Sequence, residues 1–442
     1  MATRQIISKN KNVASGVYVG KDGELWVDTV TNTMKISDGV TAGGATLTTD
    51  GGAGAVTYAA ITNINNAAGP GKVAIGRNAG SVNQGTETVA IGDEAGKTNQ
   101  GNNAYASGNN AGQTDQGASS VAIGDIAGAL TQGTLSVAVG SSSGYTGQGT
   151  RATAVGVGTG WTDQGAGATA IGGNAGADQQ GASAVAIGDE AGLTSQGINA
   201  IAVGHEAGLT NQSTKAVAIG DTAGVLTQGA GSVAVGYQAG NTTQGISAVA
   251  IGDQAGKTDQ DIGAVAIGVN AGKTDQGASA IAIGDQAGGT TQKGLAVAVG
   301  YRAGYTTQGI GAVAIGNDTG KTTQGNSAVA VGPYAGEADQ ATTAVAVGVE
   351  AGKTTQGSAA VAIGRQAGQT TQGGSAVAIG ASAGQTNQAA RSIIINATGA
   401  AVNNTVADVF IVKPVRAVAG ALPTGFKQVA YNPATGEFIS YG

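Results

Sequence analysis

From residue 73 onward, apolar and small residues return every 16 positions. Val73-Ala74-Ile75-Gly76 recurs as Val89-Ala90-Ile91-Gly92 and Val121-Ala122-Ile123-Gly124, and the series runs to Val377-Ala378-Ile379-Gly380, with a degenerate copy at Ile393-Ile394-Ile395-Asn396. The 20 full repeats cover residues 73–392 without an insertion or deletion. Such strictness means that each repeat is one coil of a stack, since one extra residue would break register with both neighbours. The consensus is V-A-I-G-x-x-A-G-x-T-x-Q-G-x-S-A, with Gly at the eighth place and Gln at the twelfth in every copy. A Gly at the fourth and eighth places of every coil excludes helix, where each costs about 1 kcal/mol. The pattern predicts two short strands per coil, A-V-A-I and x-T-x-Q, joined by glycine turns. Parallel strands stack about 4.8 Å apart, so the rod is about 96 Å long.

In A-V-A-I the Val and Ile side chains share one face and the alanines the other. Both faces are apolar, as in a strand buried on both sides. A two-strand coil encloses one interior and covers one face by itself. The other face would leave about 40 branched side chains in water, at roughly 1.5–3 kcal/mol each. Self-association along the shaft follows, and three-fold symmetry fits a closed fibrous bundle, with a dimer left open.

The unvarying glutamines form a candidate structural ladder: Gln84, Gln100, Gln116, Gln132, Gln148, Gln164, Gln180, Gln196, Gln212, Gln228, Gln244, Gln260, Gln276, Gln292, Gln308, Gln324, Gln340, Gln356, Gln372 and Gln388. At strand spacing each amide can bond the next coil or a turn backbone. The threonine at the tenth place lies on the same strand face and is expected to share that environment. The fifth place holds Asp93, Asp125, Asp189, Asp221, Asp253 and Asp285, mostly two coils apart with residues such as Arg77, Asn109 and His205 between. Skipping a coil separates like charges by about 9.6 Å, near one Debye length, which reads as relief of repulsion on a solvated edge.

Both ends depart from the period. Residues 1–41 read as a β-meander, with Val17-Tyr18-Val19, Leu25-Trp26-Val27 and Met34-Lys35-Ile36 as strands. Residues 42–72 read as a Gly/Ala/Thr/Asn linker, 73–392 as the shaft and 393–442 as a β cap or tip. In the last segment Val409–Val412 and Phe438–Tyr441 are strand candidates, with Asn432–Gly436 as a turn. The expected fold is all-β: a parallel β-solenoid or β-roll of about 20 coils of 16 residues, in an intertwined or side-by-side homotrimeric fibre, with small β end domains.

Composition narrows the function classes. Glycine contributes 81 of 442 residues and charged residues only 11%, yet 41% are hydrophobic, so the chain lacks the signature of disorder. The net charge of −6 comes without a basic stripe, which argues against nucleic acid. There is no cysteine, and the one histidine, His205, cannot build a zinc site alone. No cofactor and no metal are expected. The polar start MATRQIISKNK and the absence of a long apolar run predict neither an export signal nor membrane insertion. Catalysis is not expected. Asp93-Glu94 and Asp189-Glu190 are sequence neighbours in a turn rather than carboxylates set across a sugar. Gly156-Val157-Gly158-Thr159-Gly160 resembles a phosphate loop in composition only.

The repeat A-V-A-I-G-x-x-A-G resembles the head repeats of trimeric autotransporter adhesins, whose family fold is a trimer of parallel β-rolls. Leu25-Trp26-Val27-Asp28 with Lys35-Ile36-Ser37-Asp38-Gly39-Val40-Thr41 resembles a segment near the start of phage tail-fibre proteins. Ser392-Ile393-Ile394-Ile395-Asn396-Ala397-Thr398-Gly399, with Tyr431-Asn432-Pro433, is similar to C-terminal regions of viral fibres. These resemblances imply a virion protein made in the host cytoplasm, a tail fibre. Its N-terminal region would meet tail or baseplate proteins, its shaft would act as a spacer, and its C-terminal tip would meet a host surface glycan or protein. Candidate sugar contacts on the shaft are Tyr301, Tyr305 and Tyr334, read as neighbours on adjacent coils, with Trp161 alone elsewhere. Two other readings stay open: a bacterial surface adhesin, and an ice- or surface-binding solenoid built on the threonine column.

Overall fold

The computed structural model describes residues 71–415 and the strands Leu25–Asp28, Thr33–Ile36, Ala45–Thr46, Gln428–Asn432 and Glu437–Tyr441. The chain divides into two compact units, Met1–Ile64 and Asn65–Gly442. In the first, Leu25–Asp28 pairs antiparallel with Thr33–Ile36. Ala45–Thr46 adds to the second of these strands, so pairing continues into the segment expected to be a linker. Val17–Val19 lies outside the described residues.

The second unit is a parallel β-solenoid with 16 residues per coil, and among the described residues it contains no helix. Every Val-Ala-Ile strand pairs in parallel with its counterpart one coil on. Val249 lies beside Val265, Ala250 beside Ala266 and Ile251 beside Ile267. The same ladder runs without interruption from Val73 to Lys413. Residues 393–413, expected in a separate cap, continue this sheet: Ile393–Asn396 pairs with Val377–Ile379, and Phe410–Lys413 pairs with Ile393–Asn396 after a spacing of 17 residues. Beyond it, Gln428–Asn432 and Glu437–Tyr441 form an antiparallel pair. A second parallel ladder joins the glutamine-bearing strands, as in Thr194–Gln196 beside Thr210–Gln212 and Thr307–Gln308 beside Thr323–Gln324.

The two apolar faces of the first strand separate cleanly. Ala250 is fully buried in the coil, whereas Val249 is half-buried and Ile251 is 39% exposed on the outside. The interior is a column of small side chains from the second and seventh places, such as Ala234, Ala239, Ala250, Ala255, Ala266 and Ala271. Only small side chains stand beside the glutamine amides that share this space. Where the seventh place is polar, its hydroxyl finds a carbonyl inside: Ser143 Oγ donates to Ala154 O at 2.8 Å and Thr319 Oγ1 to Gly332 O at 2.7 Å.

Two glycine columns follow from contact geometry. At the fourth place, Gly252 has φ +128°, and a Cβ there would lie 2.6 Å from the carbonyl oxygen of Gly268 on the next coil. At the eighth, a Cβ on Gly256 would lie 2.8 Å from Gln260 Cδ. The invariant Gly and the invariant Gln are therefore one feature, because the amide occupies the room the missing side chain leaves.

Candidate functional site

The glutamine ladder lies in the interior. Gln260, 1% exposed, donates through Nε2 to Val249 O at 2.7 Å and Ala264 O at 3.3 Å, both in its own coil. The same nitrogen donates at 3.0 Å to Gln276 Oε1 of the next coil, while Gln244 Nε2 donates to Gln260 Oε1 at 3.1 Å. One amide thus ties the two strands of a coil together and ties that coil to both neighbours. The chain of amides runs from Gln84 to Gln388 and skips only from Gln116 to Gln132, whose Oε1 accepts no hydrogen bond. Apart from the oxygens of Gln84 and Gln132, these buried amides are engaged with one another and with backbone carbonyls, which holds the fold in register.

The tenth-place threonines do not share this environment. Thr258 is half-buried, and Thr306 and Thr322 are exposed. Strand alternation from the glutamine fails for two reasons. In coils such as that of Asp115, the eleventh residue is left-handed, with φ 54°. In coils such as that of Thr307, the strand begins only at the eleventh place.

Three of the six fifth-place aspartates take side-chain partners one coil away. Asp93 pairs with Arg77 at 2.5 Å, Asp125 accepts from Asn109 Nδ2 at 3.1 Å, and Asp221 lies 3.5 Å from His205 Nδ1. The Arg77 guanidinium holds the Asp93 carboxyl below its ordinary pKa. Glu94 faces Lys97 at 3.1 Å and Gln113 at 2.7 Å. The Asp93-Glu94 pair is thus divided between different partners. In Gly156–Gly160 the Thr159 hydroxyl turns inward and donates to Gly172 O, and no helix follows.

A charged staircase, which the sequence reading did not anticipate, climbs the turns between residues 302 and 353. Asp318, whose side chain is only 6% exposed, meets Arg302 at 2.8 Å and Lys321 at 3.3 Å. Lys321 and Lys353 both reach Glu337, at 3.9 and 3.8 Å, and Lys353 bonds Glu350 at 2.8 Å. Lys353 and the Gln366 amide hold Glu350 below the usual carboxylate range, and Glu350 raises Lys353 in turn. The signal lay in opposite charges alternating at 16- and 3-residue offsets.

The four aromatic candidates do not form one cluster. Tyr301 and Tyr305 share a coil, and Tyr334 stands two coils further on, not one. The Arg302 guanidinium sits 4.8 Å from the Tyr301 ring centre, and Lys353 Nζ sits 5.1 Å from that of Tyr334, so each ring already carries a cation. Tyr305 packs over Gly289. Trp161 is not alone. Tyr145, at the same ninth place one coil earlier, stacks on it with ring centres 6.2 Å apart and planes 26° from parallel.

The largest continuous feature outside the coil is the Val/Ile face. Ile187, Ile219, Ile251, Ile283 and Ile315 each keep about two-fifths of their surface in solvent, with a half-buried Val or Ile two residues before each. Among the described residues no group of acidic or histidine side chains is arranged to hold a metal ion, and no helix is long and apolar enough to cross a membrane. No known family model, curated protein or solved structure matches the chain.

Proposed function

We propose that the protein is the shaft of a homotrimeric phage tail fibre, which spaces and displays a host-recognition tip and catalyses nothing. The observation that carries this reading is the largely apolar Val/Ile face along the outside of the coils. The interior holds mainly alanine methyls, each contributing only about 0.8 kcal/mol. The larger branched side chains face out. About 40 of them, each leaving on the order of 50 Å² in solvent, make roughly 2,000 Å², against about 800 Å² per partner in a standard interface. A patch of that size marks an interaction surface. Its partner is two further copies of the chain, because a straight, self-similar face is matched best by the same face with the same rung spacing.

Three such stacks side by side would be stiff along their whole length. Stiffness lowers the entropic cost of presenting three identical tips to one host surface, so that binding is multivalent. In this reading the strands near Leu25–Ile36 belong to the virion-attachment end. The resemblances to tail-fibre termini and to adhesin head repeats support the assignment.

The decisive experiment is the native mass of the full-length chain by light scattering after size exclusion. We expect three times 42.1 kDa, with elution earlier than a globule of that mass. A mass of 42.1 kDa would overturn the assembly and redirect attention to a single-chain, surface-binding solenoid. Gold-labelled antibody against the shaft should decorate phage tails; label on the bacterial envelope alone would instead favour the surface adhesin.

A further inference from the structure

We propose that the turns around Tyr145 and Trp161 form a binding site for a neutral oligosaccharide, on the side of the shaft and away from both ends. At the ninth place four consecutive coils carry Ala129, Tyr145, Trp161 and Ala177. The aromatic pair is bracketed by alanines, so no bulky side chain of that column stands against the outer face of either ring. Trp161 remains 49% exposed. At the sixth place, where most coils carry a longer side chain, this stretch has Gly158. The missing side chain opens a notch beside the indole. The Asn174 Oδ1 reaches into it, 2.5 Å from where a Cβ on Gly158 would stand. Tyr145, Gly158, Trp161, Asn174 and Ala177, with Ser142, line a trough of about 430 Å³.

The chemistry of this trough selects its ligand class. The outer face of either ring can take the C–H face of a pyranose, and an amide and a hydroxyl at the margin offer hydrogen bonds to ring hydroxyls. None of the lining residues is charged. An anionic sugar would therefore lose hydration without gaining a counter-charge, and a neutral one would not. The trough spans four coils, roughly 14 Å at the rung spacing, which is the length of a short oligosaccharide rather than of a single ring. It lies on the turns between the two sheets, off the Val/Ile face, so it does not compete with assembly through that face.

Trp26 and Trp161 are the only tryptophans, so Trp26→Phe in the full-length chain makes the indole of Trp161 a direct reporter. Its fluorescence is followed during titration with cellotriose, maltotriose and chitotriose, with 3′-sialyllactose as the anionic comparison. We expect at least one neutral trisaccharide to give a saturable change, and the anionic sugar to bind more weakly. Calorimetry on the wild-type chain, Trp161→Leu and Gly158→Gln then tests the site itself. Leu stands at this place in Leu193 and Leu209, and Gln stands at the sixth place, with the same left-handed φ, in Gln238 and Gln254, so both variants keep the coil. Each should weaken binding at least about ten-fold with melting unchanged. No saturation by any neutral trisaccharide below about 100 mM, stronger binding of sialyllactose, or unaltered affinity in both variants would overturn the proposal.

Discussion

On one side of each coil the Val-Ala-Ile strand repeats the same pairing from coil to coil; on the other, the backbone at the eleventh place takes one of two forms, left-handed as far as Asn211 and mixed beyond it. The amide of Asp115 donates backward, to Thr98 O of the preceding coil at 3.0 Å, and Asp115 is left-handed at φ 54°. The amide of Thr307, at the equivalent place, donates forward to Thr322 O at 3.0 Å, and Thr307 is not left-handed. The left-handed φ recurs at Asn83, Asn99, Asp163, Gln179, Ser195 and Asn211, and again at Asp259, Asp339 and Asn387, whereas Thr227, Thr291, Thr323 and Thr355, and also Asp275, are not left-handed. Polar unbranched residues tolerate the left-handed region, and β-branched ones avoid it. Thr131 is left-handed between Asp115 and Gly147, so neighbours in the stack can overrule one residue. The first sheet has no such freedom, because an alanine inside and a glycine in backbone contact fix each of its strands. Uniformity follows from what is enclosed, and variation is confined to a residue that faces water.

The sharpest way to break the uniform side is Gly252→Val. The added Cβ would meet Gly268 O at 2.6 Å, a backbone atom that cannot swing aside, and φ +128° is closed to valine. We expect a loss on the order of 4 kcal/mol or more, seen as a collapse of soluble yield or of the denaturation midpoint. Val265→Thr serves as the control, since Thr153 and Thr169 already occupy that place, and it should fold normally. Equal midpoints for the two variants would show that the close glycine contact does not set the register.

On the glutamine side the enclosed residue is equally constant, so Gln260→Ala ranks next. It removes the donor to Val249 O, Ala264 O and Gln276 Oε1, and the acceptor of Gln244 Nε2. It also leaves a cavity between the amides of Gln244 and Gln276. Unsatisfied buried groups and a void of that size point to a loss of about 3 kcal/mol, measured by chemical denaturation. A loss below about 0.5 kcal/mol, the size of an ordinary surface substitution, would return the ladder to the status of a by-product of the repeat.

The repeat length, the two strands per coil and the inward glutamine are all legible in the sequence, because a strict period leaves one way to stack. Which apolar face points inward is not, since alanine and Val/Ile are both apolar. The choice depends on how closely the two sheets approach, and Gln260 together with Ala255 leaves room for a methyl and no more. The environment of the tenth-place threonine is misread because alternation assumes an extended residue at the eleventh place. The strands Ile393–Asn396 and Phe410–Lys413 are visible, but their place in the solenoid sheet is hidden by a 17-residue spacing and by the loss of the Gly and Gln markers at Asn396 and after. The Tyr145–Trp161 stack stands in the text at an offset of 16. It is missed when aromatics are considered one at a time rather than down a column.

The smallest expected effect sharpens the comparison most, because it separates local preference from the pull of neighbouring coils. Asp115→Thr places a β-branched residue in a left-handed slot flanked by coils that keep the backward hydrogen bond. It should destabilise by about 1 kcal/mol, the scale of the left-handed penalty for such residues. Thr307→Asn places a permissive residue in an extended slot that it can adopt, and should change stability by less than about 0.5 kcal/mol. Denaturation midpoints compare the two. Amide exchange at residue 115 then asks which way its N–H points, because a flip to the forward pattern would leave the carbonyl of Thr98 without its donor. If both substitutions prove neutral, each coil sets its own peptide orientation independently. A measurable asymmetry means that orientation spreads along the stack, as at the left-handed Thr131 between Asp115 and Gly147, rather than being set coil by coil, as at the single left-handed Asp259 and Asp339.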